Sequence, residues 1–118
     1  MSEFDVRREF LTDVFTCIVE DFGSNTWRRL ESYDLDSSTA TIVVWDEWED
    51  NPVGEVFHIN LDTVVVGLGK INSRDMKING TMAQNINNAS KENNAGNIDA
   101  WDADAILQVS IFDELVYG

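Results

Sequence analysis

The chain has 118 residues, with 22 acidic against 8 basic side chains, a formal net charge of -14 and a pI near 4.1. That length fits one domain with a core large enough to stand without metal or disulfide staples, and the 43% hydrophobic content argues against intrinsic disorder despite the charge. The scarcity of positive charge disfavours direct binding to a nucleic-acid backbone, and no apolar run is long enough to span a membrane.

The periodicity predicts a helix over 3–22. Phe4, Leu11, Phe15, Ile18 and Phe22 form its apolar stripe, and Phe10, Val14 and Cys17 widen it. Ser2 is placed to cap its start and Gly23 to end it. The opposite face carries Arg8, Glu9, Asp13, Glu20 and Asp21. A three-stranded meander follows. In its first strand, 27–34, Leu30 and Tyr33 are expected on opposite faces. Residues 34–38 are polar turn material. The β-branched run in 39–48 marks a central strand, apolar on both faces around Ile42, Val43, Val44 and Trp45 and so covered at least in part on each side. Residues 49–54 read as a turn. Residues 55–61 alternate, with Phe57, Ile59 and Leu61 on one face and Val56, His58 and Asn60 on the other.

From 61 to 71 the β-branched residues favour a strand, whereas Leu61, Val64, Val65, Leu68 and Ile71 repeat with helical spacing. A helix is chosen, capped by Asn60 or Asp62 and weakened by Gly67 and Gly69. A loop over 72–80 leads to a polar helix over 81–92 with a thin stripe of Met82, Ile86 and Ala89. Residues 93–97 end it. Asp99 caps a last helix through Phe112, with Ala103, Ile106, Leu107, Ser110 and Ile111 facing in and Asp102 and Asp104 suiting the positive end of its dipole. Residues 115–117 suggest a short final strand. The expected fold is α+β: an N-terminal helix packed on a three-stranded antiparallel meander, followed by two or three helices, in a single domain over 1–118.

The charge is unevenly placed. Residues 1–62 carry net -11, residues 63–98 net +2 and residues 99–118 net -5. Chemistry is sparse. His58 is the lone histidine, with no nucleophile signature to serve, and is expected as a half-buried strand residue. Cys17 lies on the apolar side of the first helix, with nothing basic beside it to lower its pKa, and is expected in the core. One Cys and one His cannot fill a structural zinc site. Gly67-Leu68-Gly69-Lys70 lacks the first glycine and the final Ser/Thr of a phosphate loop, and no other cofactor signature is present. The first residues, Met1 to Asp5, have neither the basic nor the apolar region of a secretory leader, and a single cysteine suits a reducing compartment, so a cytoplasmic protein is expected.

The unusual constellation is Trp45-Asp46-Glu47-Trp48-Glu49-Asp50, with Glu55 across the turn. These carboxylates suit a hard cation or acid–base work. Flanked by two tryptophans, they also suit a patch that engages a basic protein surface, the acids steering and an indole anchoring. The candidate partner-binding set is therefore Trp45, Asp46, Glu47, Trp48, Glu49, Asp50 and Glu55, joined by Asp99 and Asp102 of the last helix.

The last segment, with Asp99-Ala100-Trp101-Asp102-Ala103-Asp104-Ala105 at its start and Val116-Tyr117-Gly118 at its end, resembles the endings of small uncharacterised proteins of actinobacterial phages. The resemblance covers residues 97–118 and brings no site residue with it. It implies a phage-encoded protein in a bacterial cytoplasm, a setting in which small acidic proteins sometimes mimic DNA and inhibit host nucleic-acid-binding or defence proteins. The expected function is a non-enzymatic acidic binding protein of that kind, without a cofactor. A carboxylate-based or divalent-metal-dependent hydrolase and a self-associating structural protein remain the alternatives.

Overall fold

The structure, a computed structural model, describes residues 2–20, 27–46, 51–73 and 80–115. Helix α1 spans Glu3–Glu20. Strands β1 (Arg28–Asp34), β2 (Thr39–Asp46) and β3 (Asn51–Ile59) form an antiparallel sheet with β2 in the centre. Helices α2 (Leu61–Asn72), α3 (Gly80–Glu92) and α4 (Ala100–Phe112) follow, with a single 3-10 turn, Ala95–Asn97, before the last. The fold is the expected α+β arrangement: one helix, a three-stranded meander, then helices.

Ser2 caps α1, its hydroxyl accepting from the Asp5 amide at 3.2 Å. The buried stripe begins at Phe10 and runs through Val14, Phe15, Ile18 and Val19. Phe4 extends the same spacing but lies in the first turn, where no residue is buried, and is 72% exposed. Helix α1 lies against α4 and α2 and shares one core with the sheet, which it meets where Arg28 Nη2 donates to the Ile18 carbonyl at 3.0 Å.

The β1–β2 connection is set locally. Asp34 Oδ1 accepts from the amides of Asp36 and Ser37, and Ser38 turns the chain at a φ of 53°. A bulge between Leu30 and Ser32 shifts the register, so that Leu30 pairs with Ile42 and Tyr33 with Ala40. Both therefore lie on the sheet face of Ala40 and Ile42, not on opposite faces as strict alternation implies. Ala40, Ile42 and Val44 are buried towards the helices, and Val43 is buried on the other face. Strand β3 begins at Asn51, paired with Asp46, so the expected turn over 49–54 gives way to strand from 51 onward.

The ambiguous segment 61–71 is helical. Asn60 Oδ1 accepts from the Asp62 and Thr63 amides, and Thr63 Oγ1 accepts from the Asn60 amide at 3.0 Å, which closes a capping box. Val64, Leu68 and Ile71 are buried, while Val65 is 47% exposed and so falls outside the expected stripe. In α3 the thin stripe holds, with Ile86 and Ala89 buried and Met82 packed against the core. Helix α4 is the centre of the molecule. Ala103, Ala105, Ile106, Leu107, Gln108 and Val109 are all buried, which covers the helix on every side rather than on the single expected face. Ser110 and Ile111, expected inside, are half-buried at its end. Of the expected final strand, Leu115 packs against the core outside any strand, and 116–117 lie outside the described residues.

One polar cluster joins α1, β1 and α4. Asp104 accepts from Trp27 Nε1 at 3.0 Å and from Gln108 Nε2 at 2.7 Å, and stands 3.7 Å from Arg28 Nε. Trp27 and Phe57 meet the Phe112 ring edge-on, which ties the sheet to the end of α4. Asp104 thus serves as a half-buried counter-charge to Arg28 as well as a favourable charge near the helix start.

Candidate functional site

The described carboxylates divide into a few that fold the chain and many that face solvent. Of the expected partner-binding set, Glu47, Trp48, Glu49 and Asp50 lie outside the described residues, and for Trp45 and Asp46 only the backbone register at the end of β2 is described. Glu55 is exposed on β3, an edge strand of the sheet. Asp99 is exposed at the cap of α4.

Asp102 is turned inward. It is 5% exposed, its Oδ2 accepts from Asn85 Nδ2 at 3.0 Å and from the Asp99 amide at 3.3 Å, and its own amide donates to Asp99 Oδ1 at 2.8 Å. These bonds close a capping box and tie α3 to α4, so this carboxylate is a joint of the fold and not part of the surface. Burial pushes its pKa up, with the bond from the Asp99 amide opposing and the neighbouring Asp99 charge adding to the rise. Because the folded state holds this proton more tightly than the unfolded chain, its contribution to stability is complete below the unfolded pKa of about 4 and is lost as pH rises through the raised folded value. Asparagine at 102 keeps an acceptor for both donors without a charge. Asp102→Asn is therefore expected to gain on the wild type as pH rises from about 4 towards neutrality, read from urea melts across pH. A constant difference across that range would contradict the assignment.

The sequence listed the acids of the first helix as an outer face without seeing their regularity. Asp5, Glu9 and Asp13 are all exposed at steps of four residues, and Glu20 returns to the same face two turns later. At about 1.5 Å per residue, the first two steps are about 6 Å, the last is about 10 Å, and the row spans about 22 Å. The spacing was readable in the sequence, as was the apolar stripe on the opposite side, whose burial from Phe10 to Val19 holds this row outward. Trp101 was also missed. It is 63% exposed, two residues beyond Asp99 in the first turn of α4, and offers the kind of aromatic anchor sought at the acidic turn.

The other candidates are placed plainly. His58 is exposed rather than half-buried, because its side of β3 faces away from the helices; its Nδ1 lies 3.0 Å from Thr41 Oγ1 on the neighbouring strand. Cys17 is half-buried against the core. Among the described residues, no three His, Cys, Asp or Glu side chains converge as a metal site, and no helix is long and apolar enough to cross a membrane. In comparison with known proteins, the chain matches no protein family, no curated protein and no solved structure.

Proposed function

We propose that this chain is a small, acidic, non-enzymatic binding protein whose negative face engages a basic protein surface, the partner class being a nucleic-acid-binding protein of the host. The observation that carries the reading is the row of exposed carboxylates Asp5, Glu9, Asp13 and Glu20 along α1, on a chain of net charge -14. A row of acids on a rigid helix, with Arg8 the exposed base on the same outer face, is complementary to a basic groove and speeds encounter with it. Duplex DNA carries a phosphate every ~3.4 Å of axis on each strand. Four carboxylates over ~22 Å, one every ~7.5 Å, are sparser. Mimicry at full density therefore calls for acids beyond α1, and the sequence supplies them at Asp46, Glu47, Glu49, Asp50 and Glu55.

The first test is capture of partners from a bacterial lysate on the immobilised protein at low and at high salt. Recovery of a basic, nucleic-acid-binding protein at low salt, competed by duplex DNA and released at high salt, is the expected result. A partner retained equally at both salt concentrations and indifferent to DNA would contradict an electrostatic face. Lysine substitution of Glu47, Glu49 and Asp50 together, set beside the same change at Asp5, Glu9 and Asp13, then tells which acids the partner reads.

A further inference from the structure

We propose that the half-open cleft between α2 and α3, closed at one end by Arg7 of α1, binds a small polyhydroxylated organic anion, a sugar acid or a sugar phosphate. The inference is independent of the acidic face and uses none of its residues.

The cleft has a volume of about 1320 Å³. Ligand pockets commonly run ~300–1,000 Å³, so a small molecule would fill part of it. Its floor is apolar, made by Val65, Leu68 and Ile71 of α2 and Ala83 of α3. Its wall is a row of long polar side chains on one face of α3, Gln84, Asn87, Asn88 and Lys91, at steps that return to the same side of the helix. Asn72 stands at the end of α2 and Arg7 at the far end, beside Ser90 and Asn93.

Three features select the ligand. The first is charge. Arg7 and Lys91 are the charged side chains among the described residues of the lining, both positive, on a chain of net charge -14. The second is the state of Arg7. It is half-buried, its guanidinium lies 5.0 Å from the Phe10 ring centroid, and among the described residues it donates to neutral acceptors: Nη1 to the Ser90 carbonyl at 2.7 Å and to Asn93 Oδ1 at 2.9 Å, and Nη2 to Ser90 Oγ at 3.0 Å. Among the described residues, no carboxylate stands within ion-pair distance of Arg7 or Lys91. Burial of the guanidinium opposes its charge and pulls its pKa down, and a ligand anion would supply a counter-charge that no described residue provides. The third is the amides. Each offers donors and an acceptor, as sugar hydroxyls do, whereas the described lining has no aromatic ring on which a nucleobase would stack. The apolar floor suits the C–H face of a sugar ring.

The test is a titration of the ¹⁵N-labelled protein, followed by amide shifts, with glucuronate and glucose 6-phosphate, and with glucose and inorganic phosphate as controls. Saturable shifts in α2 and α3 are expected with the anions, and a response to one of the two names the acid group that the cleft reads. Lys91 is exposed in the last turn of α3, so Lys91→Glu should keep the fold, with a small drop in melting temperature from the reversed charge at the helix end, and weaken anion binding by about tenfold or more through charge reversal. Asn88→Ala, also at an exposed position, should weaken the sugar acid or sugar phosphate without changing any response to inorganic phosphate. The proposal is overturned by absence of saturable shifts with both anions, by glucose binding as tightly as the anions, by inorganic phosphate matching glucose 6-phosphate, or by Lys91→Glu binding as the wild type does.

Discussion

Replacing Phe15 with alanine is expected to destabilise the protein by about 3–5 kcal/mol, as large-to-small changes at buried aromatic positions do. Phe15 is 1% exposed in the middle of the α1 stripe, in the same core cluster as residues of β2, α2 and α4. Its removal takes contacts from several elements at once, and neighbours held by their own helices cannot all close the gap. Phe4→Ala is the matched control. That ring is 72% exposed, so the same chemical change should cost well under ~1 kcal/mol. Urea melts of both variants check the pair. A loss below ~1 kcal/mol for Phe15→Ala would remove α1 from the core.

The second large effect concerns Gly67. A Cβ built there would stand 2.4 Å from the Ile106 carbonyl oxygen and 2.9 Å from Ile106 Cγ2. The nearest atom is backbone of the central helix, so relief requires α2 and α4 to move apart. Alanine is the better helix former by about 1 kcal/mol. Overpacking a close helix contact costs about 1–3 kcal/mol or more. The clash is expected to win, with Gly67→Ala a net loss. Gly69→Ala supplies the contrast: nothing lies within 4 Å of its Cβ position. There the propensity gain stands alone, and stability should rise by up to about 1 kcal/mol. Opposite signs for two glycines in one helix, measured by thermal or urea melts, would establish the α2–α4 contact. A gain at both would contradict it.

These glycines also mark how far the sequence could be read. Both weakened the helix prediction over 61–71 equally, because propensity sees the missing side chain and not the neighbour. Gly67 is in fact where α4 comes closest, a fact that depends on residues about forty positions away. Local features were legible. The β-branched run at 41–44 marked the central strand, Asn60, one of two candidate caps, begins α2, and Asp99 caps α4. Tertiary ones were not. The bulge that puts Leu30 and Tyr33 on one face arises from strand pairing. Asp102 looked like a surface acid until Asn85, on another helix, accounted for its carboxylate. Arg28 and Asp104 carried no sign in sequence that they meet. In the candidate site the outward face of α1 was legible as the side opposite the apolar stripe, whereas the inward turn of Asp102 was not.

The central claim is that this row steers a basic partner. The direct measurement is the association rate of the captured partner with the wild type and with a variant carrying Asp5→Lys, Glu9→Lys and Asp13→Lys, at low and at high salt. All three side chains are exposed, so the fold should survive, as circular dichroism would verify. The account predicts an on-rate reduced by about tenfold or more at low salt, a difference that shrinks as salt rises, and an off-rate that changes far less. An unchanged on-rate at low salt, with the fold intact, would contradict it.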